Sequence, residues 1–248
     1  FSAEGKIVTD LATEFVSKNE LGDAYGMRKA SSIGKEWNEQ AAAFARYVVG
    51  KTTDEVNGIA VNEEGVPTAA DLTASVTVHV TDFIDGVRKA VANARELGAS
   101  ASDKLSLGTV TSIDKSRNAA AGADGLAQIY STYTAITTDA AGVITSCIID
   151  ASQSNIGFDT AGKITTGLTA APQTKNELGD TYGMKKASTI GKEWNEQAAA
   201  FAAYVTGKTG ADVAGIAVSE GYAGDADLKA SVTVHIADFL AIIAKTLA

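Results

Sequence analysis

The side chains that could do chemistry in this chain are few. Its only histidines, His79 and His235, sit at the same place in two near-copies, SVTVHV and SVTVHI. With no second histidine, cysteine or paired acid beside either, they are poor metal ligands, and a satisfied structural role is expected. The single cysteine, Cys147, excludes an internal disulfide and any thiolate cage, because each needs a second sulfur. It reads as a small buried apolar residue. Glu36 and Glu39 lie three apart on one helix face, which suits a solvated surface better than acid/base catalysis. No nucleophile elbow, phosphate loop, HExxH or calcium-loop pattern is present. Without a converging nucleophile and base, no enzyme is expected and no cofactor is required.

Those residues belong to a repeat. Residues 17–61 and 174–218 align without a gap at an offset of 157 and agree at 35 of 45 positions. That marks a duplicated structural unit. FSAEGKIVTD at 1–10 matches FDTAGKITTG at 158–167 at the same offset. The second copy is preceded by about fifty residues of strand-like sequence and the first is not. The expected domains are therefore an incomplete first repeat over 1–98 and a complete second repeat over 99–248. The latter divides into a β meander over 105–166 and a helical half over 168–248.

Within each copy, glycines such as Gly22, Gly26 and Gly34 imply an ordered loop, pinned by Leu21, Tyr25, Met27 and Ile33. Trp37, Ala41, Phe44 and Val48 then recur at helical spacing, predicting a helix over 35–49 that Ser31 or Ser32 caps and Gly50 ends. Trp37 and Trp194 read as core anchors. ASVTVHV at 74–80 reads as a strand, followed by a helix over 82–97. Between the copies, 107–113, 126–138, 143–151 and 155–159 read as strands, with DAAG and DTAG as turns and the meander continuing through KITTG. The fold class is α+β, a duplicated helical and loop unit with one antiparallel β meander between the copies.

A net charge of −9 with scattered lysine and arginine argues against nucleic acid as a partner. No run of about 18 apolar residues exists, so no transmembrane segment is expected. A start at Phe1 rather than Met suggests a processed, exported product, and the composition suits an extracellular or cell-surface protein associated with a cell wall or surface. The last helix differs from its counterpart: Asp85, Gly86 and Arg88 are replaced by Ala241, Ile242 and Ala244. A helix apolar on most sides usually has a second partner.

YGMRKASSIGKEWNEQ with YVVGKT, together with DAAGVITSCIIDA, resembles an uncharacterised group of secreted or lipid-anchored repeat proteins of clostridia-like bacteria, over nearly the whole chain. The strand-to-helix layout of ASVTVHVTDFIDGVRKAV and ASVTVHIADFLAIIAKTL is similar to that of extracellular FMN-binding domains. That likeness implies flavin attachment at Thr77 or Thr233, although Val76 and Val232 stand where the family motif has Gly-Ala. Two functions follow. The first is a secreted or cell-surface structural protein whose partners are copies of itself, assembling through Phe1, Ile7, Ala241, Ile242 and Ala244, even into filaments. The second is an extracellular binding protein for FMN or another small redox ligand, serving electron transfer.

Overall fold

The computed structural model describes residues 1–169 and 172–248 and has an α+β fold. The chain forms two compact units: unit 1 comprises Phe1–Phe15 with Leu97–Ala248, and unit 2 is Val16–Glu96.

Unit 2 is helical. It contains α1 (Lys18–Leu21), a 3₁₀ turn, α2 (Trp37–Val48), α3 (Thr53–Asn57), α4 (Ala70–Thr73) and α5 (Thr81–Ala92). Ser17 caps α1 and Thr52 caps α3, each answered by a glutamate three residues on, so two exposed amides are satisfied reciprocally at each start. Ala43, Phe44, Leu72, Val76 and Val80 form its small core.

Unit 1 holds a three-stranded antiparallel sheet in the order β1 (Lys104–Ser112), β2 (Gly125–Thr138), β3 (Ile144–Phe158). The helical half follows as α6 (Lys175–Leu178), a second 3₁₀ turn, α7 (Trp194–Val205), α8 (Gly210–Ala214), a two-residue hairpin β4–β5 (Val218–Ser219, Tyr222–Ala223), α9 (Ala226–Lys229) and α10 (Ala237–Leu247). The DAAG turn forms as expected: the Asp139 carboxylate accepts the amides of Ala141 and Val143, and Gly142 supplies φ +78. On one face of the sheet Thr132, Thr134, Ile136, Cys147, Ile149 and Ala151 are buried, and α7 and α10 cover them.

Several expectations are corrected. The meander is three strands rather than four, because 144–158 runs unbroken as β3, and beyond it Ile164 adds only a single bridge to Phe158. ASVTVHV and ASVTVHI are irregular, not strands: the Ser75 and Val76 amides turn back to the Leu72 carbonyl, the Val80 amide donates to the Gly65 carbonyl, and the Thr77 amide donates to the Gln40 side chain, with the same pattern in the second copy. The first fifteen residues do not belong with the first helical copy. Phe15 bridges Thr111 on the β1 edge, and Phe1 stacks flat on Phe158 with ring centroids 4.0 Å apart. The repeat explains that contact, because Phe1 and Phe158 are equivalent residues. So are Gly5 and Gly162, and each lies against the other's segment: a Cβ on Gly5 would come within 2.6 Å of the Asp159 carbonyl, and one on Gly162 within 2.6 Å of the Ser2 carbonyl. Both glycines also have positive φ, so the close approach and the turn demand the same residue.

Candidate interaction surface

The loop ahead of α2 is held by two buried polar side chains. Glu36, 2% exposed, is the N-cap of α2, and its carboxylate accepts the amides of Met27 and Arg28 at 2.8 Å each. Glu39 reaches back to the Glu36 amide at 2.8 Å. Glu36 is therefore not the solvated residue that its spacing suggested; a carboxylate at a helix start is favoured by the dipole as well as by its donors. Nor does Ser31 or Ser32 cap α2: the Ser31 hydroxyl instead accepts from Lys35 N and Gln40 Nε2. Gln40 is fully buried. Its amide nitrogen donates to Ser31 Oγ and the Lys35 carbonyl, and its oxygen accepts the Thr77 amide at 2.7 Å and the Thr77 hydroxyl at 3.2 Å.

Unit 1 repeats this. Glu193 accepts from Met184 and Lys185, and Gln197 links Ser188 and Lys192 to Thr233 and Val234. The candidate flavin-attachment residues Thr77 and Thr233 thus serve as donors to a glutamine that ties three chain segments together. A fully satisfied buried network of this kind specifies a fold.

The remaining chemical candidates are scattered. His235 lies on the Tyr222 ring, 4.0 Å between centroids, and over Gly221, where a Cβ would meet its ring. Both His235 and its counterpart His79 are exposed. Burial pushes the Cys147 thiol up to about 11, so it is protonated and unreactive at neutral pH. An open cleft is lined by Asp10, Ser116, Arg117 and Asn118, with the chain from Ile7 to Leu11 along its rim. Among the described residues no cluster of three His, Cys, Asp or Glu could hold a metal ion, and no helix is long and apolar enough to cross a membrane.

A feature not foreseen in the sequence is the lysine of the KNEL segment. Lys175 is 5% exposed, and its ammonium lies 4.7 Å from the Tyr130 ring, 4.7 Å from Tyr182 and 4.8 Å from Trp194, donating to Tyr130 Oη at 3.1 Å. Burial lowers its pKa to about 8, opposed by Asp238 and Asp150, so it stays largely charged at neutral pH inside an aromatic box. In unit 2 the equivalent Lys18 lies 5.0 Å from Tyr25 and 4.9 Å from Trp37. Those are the counterparts of Tyr182 and Trp194. The third wall, Tyr130, comes from β2 of the sheet, and Lys18, without one, is exposed.

The same asymmetry runs along the helix. In α7, Trp194, Ala198, Ala202 and Val205 form one stripe at spacings of four, four and three, and none is more than 5% exposed. Their equivalents in α2 are Trp37, Ala41, Ala45 and Val48; Ala45 is exposed and the others are half-buried. The internal packing is meanwhile the same: Trp37 and Phe44 meet Phe83 at 5.7 and 5.4 Å, as Trp194 and Phe201 meet Phe239 at 5.6 and 5.3 Å. Family models, curated proteins and solved structures give no match to the chain.

The residues expected to mediate self-association separate. Ala241 and Ala244 are exposed, whereas Ile242 is fully buried. The second partner of the apolar last helix is the chain's own sheet: α10 crosses β1 and β2, and a Cβ on Gly108 of β1 would be 3.3 Å from Ile242 Cδ1. Phe1 is engaged with Phe158, and the Ile7 amide donates to Asn118 at 2.7 Å. The bare stripe of α2, with Lys18 and Tyr25 beside it, is the surface that the expectation missed. Its signal lies in the sequence: a helix repeated at eleven of twelve positions, with one sheet to cover the two copies.

Proposed function

We propose that this chain is a structural interaction protein of the secreted or cell-surface kind, which associates with copies of itself through unit 2. One observation carries the reading. A stripe of Trp, Ala, Ala and Val, preserved in type in both copies, is sealed by a sheet in unit 1 and left half-buried to exposed in unit 2. Apolar surface kept in this pattern marks an interaction site. The last helix, apolar because it covers the sheet, no longer contributes. Sedimentation velocity and light scattering across dilution, up to about 1 mM, test the reading down to interactions of about −4 kcal/mol. A mass that rises with concentration is expected. A strict monomer over the whole range removes the proposal.

A further inference from the structure

We infer that the bare stripe of unit 2 seats on the open face of the three-stranded sheet of a second copy, whose Tyr133 closes the box around Lys18 that Tyr130 closes around Lys175. This rests on the self-association reading and names the partner surface. The chain itself shows what such a helical unit takes as cover: in unit 1 it is a sheet that brings a tyrosine to the lysine. In a second copy the inner face of the sheet is already taken by α7 and α10, so only the outer face is on offer.

That outer face is suitably apolar. Ladder register places Leu107, Ala135 and Ile148 in one rung across all three strands, with Leu105 one rung to one side and Tyr133 one rung to the other. Leu107 is 77% exposed and Leu105 64%. Ile129, Tyr133 and Ile148 are each exposed on the same face. Tyr133 follows Tyr130 by three positions on β2, and an odd spacing along a strand puts them on opposite faces. The sheet thus presents a tyrosine on each side. Tyr130 meets the lysine of its own unit, and Tyr133, whose hydroxyl pairs with Ser152 at 2.9 Å, keeps its ring exposed with Ile148 and Leu107 beside it, where the lysine of another copy can reach it. Small residues on both surfaces, Ala41 and Ala45 on the helix and Ala135 on the sheet, allow close approach.

The contact joins two different surfaces, so each copy offers one of each and the assembly extends head to tail unless its rotation closes. That gives a decisive mixing experiment. Ala45→Glu blocks the helical surface and Leu107→Glu blocks the sheet surface; both positions are exposed, and unchanged circular dichroism and unfolding midpoints establish that each variant folds. By sedimentation velocity each variant alone is expected to be a monomer, at least tenfold weaker in association than the parent chain. Mixed one to one, they are expected to give a dimer that grows no further, because one intact helical surface meets one intact sheet. Tyr133→Ala should weaken the parent assembly and Lys18→Met should do so by a similar factor. A Leu107→Glu chain that assembles like the parent overturns the sheet as partner while leaving self-association standing. So does a mixture that stays monomeric. A parent chain that never associates removes both readings.

Discussion

Unit 2 and the helical half of unit 1 are nearly the same sequence in two environments, and their differences show what a sheet does to a helix. Where the sheet is present, α10 replaces Gly86 with Ile242 and drops the Asp85–Arg88 pair, which in α5 closes at 2.6 Å on the surface. α5 buries no residue and is suited to water. α2 is not. It retains the stripe that α7 buries, together with a lysine held by two rings instead of three. The two helices of unit 2 have therefore diverged from their counterparts to different degrees, and only α2 still carries a surface shaped for a cover.

The comparison can be broken most sharply at the end of the stripe. Val205→Asp puts an unpaired carboxylate into the core of unit 1 and is expected to destabilise it by about 3–5 kcal/mol. Val48→Asp, at a half-buried position packed on the small core of unit 2, should cost less, about 1–2 kcal/mol. Each unit contains one tryptophan, so denaturant titrations of Trp37→Phe and Trp194→Phe backgrounds read the units separately. Equal losses at the two positions would mean that the α2 stripe is already covered.

Ala198→Leu and Ala41→Leu form a gentler pair. Overpacking against the sheet should remove about 1–3 kcal/mol from unit 1, and the same change in α2 should fall within about 0.5 kcal/mol.

The two lysines differ in their response to pH. Lys175 has a folded pKa near 8 against an ordinary 10.5, so between these values the unfolded chain binds more protons and the stability of unit 1 rises with pH. The group's unfavourable contribution is fully present below about 8 and is gone above about 10.5. The unfolding free energy of the parent minus that of Lys175→Met should therefore increase from pH 8 to pH 10, and a flat difference would contradict a buried charge.

The smallest effect is expected at Gly86, whose added Cβ would meet nothing within 4 Å. Gly86→Ala should stabilise unit 2 by about 0.5–1 kcal/mol, through helix propensity alone. Gly108→Ala, where the new Cβ would overlap Thr246, should destabilise unit 1 instead.

Much of the fold was legible in the residues. The offset of 157 and the alternation of strand-like and helical segments pointed to the duplication, the antiparallel meander and the four long helices. Three features escaped for physical reasons. SVTVHV has the β-branched composition of a strand, but Gln40 supplies the partners for the Thr77 amide and hydroxyl, and a side chain that reaches across 37 residues leaves no local pattern. Glu36 looked solvated because spacing alone cannot show that a loop folds back over a helix start to place Met27 and Arg28 on its carboxylate. The lysine box depends on Tyr130, forty-five residues from Lys175 and in a different element, so only the packed structure brings its walls together.

The Phe1–Phe158 stack has a consequence for the order of folding. Its partners are 157 residues apart, and the whole of unit 2 is threaded between the two pieces of unit 1. At about 5–20 residues per second, the opening fifteen residues wait roughly 10–30 s during synthesis before their sheet exists. Unit 2, complete in itself, can fold in that interval, leaving unit 1 to close last around contacts of long sequence separation, which form slowly. During that wait the two apolar surfaces of the chain are made at different times, helix first and sheet second. Under the self-association proposed above, a finished neighbour meets the helical surface before the chain has a sheet of its own to offer.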